Sequence, residues 1–111
     1  MHRDLKPENI LVNRQSDSNS DPISVKLTDF GFAAKYDHER QDKTSLGSPA
    51  YMAPELWKRE AHSMKVDCWA VGVIAFQLIS GKFPFVANDK RTLGKKISLE
   101  EPNYSFLLNA S

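Results

Sequence analysis

The opening octet His2-Arg3-Asp4-Leu5-Lys6-Pro7-Glu8-Asn9 sets a carboxylate, an ammonium and a side-chain amide within a few residues of one another. Asp4 and Asn9 are oxygen donors suited to a proton or a hard metal ion. Lys6 is a compact cation suited to a phosphate. About twenty residues on, a further carboxylate, Asp29, is followed by Phe30 and Gly31. Gly31 permits backbone angles that a β-carbon forbids. A base, a cation and two oxygen ligands, once brought together, suit magnesium-assisted transfer of a phosphoryl group.

Whether they meet depends on the elements that carry them. Pro7 forbids a regular helix, so the octet reads as a loop. Ile10-Leu11-Val12 is a short β-prone run, and Ile23, Val25 and Leu27 alternate with polar residues. Residues 13–22, rich in Ser, Asp and Asn and closed by Pro22, form a long polar connection between these two strands. A hairpin would bring Asn9 and Asp29 together at its base. Residues 32–46 are polar and aperiodic, a surface segment unless something pins it.

Ala53-Pro54-Glu55 opens a short helix, with proline at a tolerated first-turn position. A stronger helix is predicted from residue 63 or 65 to residue 80. Its apolar residues, among them Val66, Trp69, Val73, Ile74, Phe76, Leu78 and Ile79, cover most of its circumference and predict burial on several sides. Gly81 stops it and Pro84 prevents resumption. Asn88 or Asp89 can cap a third helix through Ile97, which Gly94 weakens. The expected fold class is mainly α with a small β-hairpin. Residues 100–111 have no clear period, and Phe106-Leu107-Leu108 has nothing downstream to bury against.

At 111 residues there is room for one small domain or a piece of a larger one. Fifteen basic residues against fourteen acidic give a formal net charge of +1, which argues against a nucleic-acid partner. The single cysteine, Cys68, leaves no intramolecular disulfide, and its apolar context predicts a buried packing thiol. No apolar run approaches the ~20 residues of a membrane span, and the charged start has no signal-peptide core. An intracellular, cytoplasmic setting without membrane contact is the expectation. Trp57 and Trp69 read as core residues, His38 and His62 as solvated.

The octet resembles the catalytic loop of protein kinases, Asp29-Phe30-Gly31 their magnesium-binding triplet, and Ala53-Pro54-Glu55 the motif that closes the activation segment. Order and spacing fit across residues 1–111, so the whole chain resembles a partial protein kinase domain: catalytic loop, activation segment, central C-lobe helix and the helix after it. The resemblance implies a Ser/Thr kinase that uses ATP and Mg²⁺ to phosphorylate protein hydroxyls. It makes Asp4 the residue that takes or orients the substrate proton and Lys6 the one that steadies the γ-phosphoryl. Asn9 and Asp29 would hold the metal, and Lys6, Glu8, Asn9, Leu11 and Asp29 would surround the nucleotide, Leu11 as the adenine floor.

By the same resemblance His2, Phe30 and Asp67 are structural anchors, Asp67 accepting backbone N–H bonds from the catalytic loop. Ile74 and Leu78 would support the adenine side. Arg3 implies control by a phosphorylated activation-loop residue, Thr44 first and Ser45 second. Ser48, where threonine is commoner, would keep a bond towards Asp4 and Lys6. Residues 29–33 and 80–85 are most similar to the calcium/calmodulin-dependent kinase group. The N-terminal lobe, with its Gly-rich loop and lysine, is expected upstream in the full-length protein, and the 111 residues alone are expected to be inactive. A non-catalytic interaction fragment, or a pseudokinase-like regulator, is the competing reading. The four intact residues Asp4, Lys6, Asn9 and Asp29 weigh against it.

Overall fold

Two β-prone runs pair first. In the computed structural model, which describes residues 1–14, 23–37, 43 and 45–106, β1 (Ile10–Arg14) and β2 (Ile23–Leu27) form an antiparallel hairpin. Ile10 faces Leu27, Val12 faces Val25 and Arg14 faces Ile23. Opposed residues share a face of an antiparallel pair, so Ile10, Val12, Ile23, Val25 and Leu27 line one side and Leu11 lies on the other. The apolar side is open, with Val12 65% and Val25 62% exposed. At the base the ladder gains one more rung, Thr28 N–H donating to the Asn9 carbonyl at 2.9 Å. Both strands thus end at residues of the candidate site.

Pro7–Asn9 forms a single 3-10 turn leading into β1, and Pro49–Tyr51 another; each places proline where no N–H is required. Among the described residues three α-helices follow: α1 (Pro54–Trp57), α2 (Lys65–Ser80) and α3 (Lys90–Leu99). Gly81 closes α2 at φ +74°, its N–H donating to the Gln77 carbonyl at 2.8 Å. A β-carbon in that left-handed conformation would be strained, so glycine is the natural stop. Asp89 caps α3: its carboxylate accepts the Thr92 N–H at 2.7 Å and the Thr92 hydroxyl at 3.0 Å. α3 runs two residues past Ile97, the predicted end. Gly94 is explained by packing, because a β-carbon there would lie 2.6 Å from Trp57 Cε3.

Met52, Ala53, Leu56 and Val66 form the buried core, with Trp57 and Trp69 packed against it. The core is thin, and no large side chain is fully buried among the described residues. The circumferential burial expected of α2 is realised on one side only. Val66, Ala70 and Val73 are buried, while Leu78 and Ile79 are 82% and 66% exposed. Cys68 is exposed, against the buried thiol expected from its apolar neighbours. Two positions from Val66 and two from Ala70, it lies about 200° around the helix from both, on the uncovered side. There it borders an open apolar groove of about 690 Å³ with Trp69, Val73, Phe76, Phe85 and Ile97.

Candidate active site

Asp67, in the first turn of α2, reaches across more than sixty residues to the start of the chain. Its two carboxylate oxygens accept the backbone N–H groups of His2 at 2.7 Å and Arg3 at 2.8 Å. Charge-assisted bonds of this length are the strong ones. They hold Arg3 in a left-handed backbone conformation, φ +71°, that side-chain-bearing residues adopt only when their surroundings enforce it. Gly47, at φ +122°, passes so close that a β-carbon would sit 3.0 Å from the Arg3 carbonyl oxygen.

His2 ties the loop to the hairpin. Its Nδ1 accepts the Asp4 backbone N–H at 3.1 Å, which leaves the proton on Nε2, and Nε2 donates to the Thr28 carbonyl at 2.8 Å. The buried His2 ring meets Phe30 with centroids 4.9 Å apart. His2 is therefore spent on structure. Asp29, one residue beyond Thr28, takes φ +57°, and its Oδ1 accepts the Gly31 N–H at 3.2 Å. Its carboxylate stays exposed.

The groups with chemical potential gather around Asp4. The Ser48 hydroxyl donates to Asp4 Oδ1 at 2.8 Å and accepts from Lys6 Nζ at 2.8 Å. Lys6 Nζ stands 3.9 Å from Asp4 Oδ2 directly. Asn9 Nδ2 donates to the Asp4 carbonyl at 2.9 Å and, at the longer 3.4 Å, to Asp4 Oδ2. Asp4, Lys6, Asn9 and Ser48 thus form one connected cluster drawn from the catalytic loop and the 47–51 stretch. Glu8 and Leu11 are both exposed. Ile74 is half-buried, whereas Leu78 is the most exposed large apolar residue of α2.

The Arg3 side chain spans two further segments. Its Nε donates to the Phe32 carbonyl at 2.6 Å, and its Nη1 stands 3.5 Å from His62 Nε2. His62, read from sequence as solvated, is buried, at 7% exposure. The α1–α2 connection folds its imidazole inward against the guanidinium, and no local pattern in the sequence signals that contact. Ser45 spends its hydroxyl on the Leu56 carbonyl at 2.8 Å. Thr44 and His38 lie outside the described residues. Tyr51, absent from the residues singled out by sequence, donates to Gln77 Oε1 at 2.8 Å and meets Phe83 edge-on. Burial pushes its phenol above the ordinary range.

Residues 1–106 match the model of the protein kinase domain family. The chain belongs to that family. Similar proteins include the serine/threonine-protein kinase ATG1c of Arabidopsis thaliana, 40% identical over 97 residues that make up 87% of this chain and 13% of that protein. Human serine/threonine-protein kinase ULK1 is 41% identical over 95 residues, 84% of this chain and 9% of that protein. Human ribosomal protein S6 kinase alpha-1 is 38% identical over 108 residues, 94% of this chain and 14% of that protein. The chain spans about one eighth of the length of the first of these relatives. Their names support a Ser/Thr kinase and give no support to the calcium/calmodulin-dependent grouping suggested by residues 29–33 and 80–85. The mainly α fold with its two-stranded hairpin fits part of a protein kinase domain. No helix among the described residues is long and apolar enough to cross a membrane.

Proposed function

We propose that this kinase-family chain supplies the catalytic-loop side of a Ser/Thr protein kinase active site, moving the γ-phosphoryl of ATP to a protein hydroxyl. The observation that carries the reading is the cluster in which Ser48 links Asp4 Oδ1 to Lys6 Nζ at 2.8 Å on each side. Asp4 is held at both ends, by Ser48 and by Asn9, with the orientation a proton acceptor requires. It takes the proton from the substrate hydroxyl as that oxygen bonds to the γ-phosphorus and the bond to the ADP oxygen breaks. Lys6 places a positive charge where the transferred group carries negative charge, and the half-buried setting strengthens that interaction over its value in water.

The residues fit a hard divalent cation. Asn9 is buried with its amide nitrogen committed to Asp4, and its Oδ1 takes no bond among the described residues. Asp29 offers an exposed carboxylate. One amide oxygen and one carboxylate match the sparse protein ligation that Mg²⁺ accepts when phosphates and water complete its shell. Bound there, Mg²⁺ neutralises phosphate charge and orients the γ-phosphoryl. Glu8 and Leu11, both exposed, would be open to the nucleotide.

The test is steady-state phosphorylation of a protein substrate by the protein at its full encoded length. Asp4→Asn should lower kcat about 10²–10⁴-fold while ATP binding is retained. Retention of kcat within about threefold would refute the assignment. The 111 residues contain no Gly-x-Gly sequence to cradle phosphates, so this polypeptide alone should show no turnover above background.

A further inference from the structure

Ser48 carries the contact between Asp4 and Lys6, yet it follows a soft joint in the chain. Gly47, immediately before it, takes φ +122°. Glycine reaches that conformation because it has no β-carbon, and the same freedom lets the backbone pivot there. The place of the Ser48 hydroxyl therefore depends on what pins the chain to either side.

Two side-chain bonds do so. Three residues before Ser48, the Ser45 hydroxyl donates to the Leu56 carbonyl at 2.8 Å. Three residues after it, the Tyr51 hydroxyl donates to Gln77 Oε1, also at 2.8 Å. The stretch 45–51 is thus strapped to α1 at one end and to α2 at the other. The α1 pin ends on a rigid support, because Leu56 is buried within the core cluster.

Neither partner of that first pin needs the bond for its own sake. Ser45 is exposed, so water stands ready to take its hydroxyl proton. The Leu56 carbonyl already accepts the Arg59 N–H at 3.2 Å. Removing the Ser45 hydroxyl leaves no buried group unpaired and should cost the fold little. What the bond fixes is where residues 45–48 lie against α1.

We propose that Ser45 is a positioning residue for phosphoryl transfer. Its bond to Leu56 seats the 45–48 stretch on α1 and so holds the Ser48 hydroxyl between Asp4 and Lys6. The link to turnover rests on the function proposed above; the anchoring itself does not. Ser45 spends its hydroxyl on Leu56, so it acts on Asp4 only through Ser48.

The test joins amide hydrogen exchange to steady-state kinetics of the full-length protein. Four variants enter it: Ser45→Ala, Ser45→Thr, Ser48→Ala, and Ser45→Ala combined with Ser48→Ala. The Tyr51 N–H donates to the Ser48 carbonyl at 2.9 Å, so its exchange reports the place of Ser48 without turnover. In Ser45→Ala it should exchange about fivefold faster, the size of one neutral hydrogen bond. The Lys58 N–H, bonded to the Pro54 carbonyl within α1, should change less than about twofold. kcat should fall about fivefold at an unchanged KM for ATP. Ser45→Thr, which keeps the hydroxyl, should restore both readings. In the Ser48→Ala background, Ser45→Ala should cost less than about twofold, because the contact it positions is already gone. A general loss of stability would instead lower kcat equally in both backgrounds. Unchanged Tyr51 exchange in Ser45→Ala, or its whole loss of kcat persisting without the Ser48 hydroxyl, would overturn the proposal. Faster Tyr51 exchange beside an Asp4→Asn enzyme of undiminished kcat would uphold the anchor and refute the catalytic reading alone.

Discussion

Replacing Asp67 with asparagine alters the fewest atoms for the largest expected effect on the site. The carboxylate receives two backbone N–H groups, from His2 at 2.7 Å and Arg3 at 2.8 Å. Hydrogen bonds to a charged partner contribute about 1.5–3 kcal/mol each. Asparagine keeps one neutral acceptor and turns an NH₂ group towards the other N–H, so one bond is lost and its partner weakened. The left-handed backbone of Arg3, a conformation that costs on the order of 1–3 kcal/mol, then loses its clamp. A net loss of about 3 kcal/mol follows, corresponding to roughly a hundredfold faster exchange of the Arg3 amide. Hydrogen exchange read by NMR on the His2 and Arg3 amides measures this directly, with an α3 amide as internal reference. If Arg3 exchange in Asp67→Asn stays within about threefold of the parent, the carboxylate does not hold the loop and the positional argument for Asp4 loses its base.

Ser48→Ala removes the link between Lys6 and Asp4 and should lower kcat roughly tenfold, whereas Ser48→Thr, which keeps the hydroxyl, should restore it; kinetics of the pair separate a bonding role from a packing one. Gly94→Ala gains about 1 kcal/mol of helix propensity but drives a β-carbon into the Trp57 ring, and overpacking costs about 1–3 kcal/mol. A lowered urea midpoint is therefore expected, and a raised one would contradict the close crossing of α1 and α3. The bonds from the Thr92 N–H and hydroxyl hold the Asp89 carboxyl below its ordinary range. A depressed carboxylate stabilises the fold above its unfolded value and loses that contribution as pH falls through the lower folded value. α3 amide protection should accordingly fall as the solution is acidified below the ordinary carboxylate range in the parent, and much less in Asp89→Asn, whose cap does not titrate.

The hairpin was legible because Ile23, Val25 and Leu27 alternate and residues 13–22 are strongly polar. Its length was not, since Asn13 and Arg14 join β1 through ladder bonds to which side-chain polarity is blind. The limits of α2 followed from Gly81 and Pro84. Which side of α2 is buried did not follow, because an apolar sequence all round a helix carries no preference among faces. Val66, Ala70 and Val73 are chosen by what packs on them, and Cys68 is left outside by the same choice. The His62 contact escaped detection for a related reason: its partner, Arg3, lies 59 residues away, and a lone histidine among polar neighbours gives no local sign of an inward turn.

Local order at the site and stability of the whole have separate sources here. Arg3 and Asp29 are two of the three described non-glycine residues with positive φ, and both fall in the kinase motifs. Bonds within reach hold the strained segment: Asp67 for Arg3, His2 for the end of β2, and Ser48 and Asn9 for Asp4. Every one of those partners belongs to the 111 residues. The apolar burial that would support them is thin, with Leu78, Ile79 and one face of the hairpin open to solvent. Exposed apolar surface of that extent contributes nothing to folding until something covers it. Covering those faces should therefore raise the unfolding free energy while leaving the Asp4–Ser48–Lys6 distances as they are, because the bonds that set them are already made.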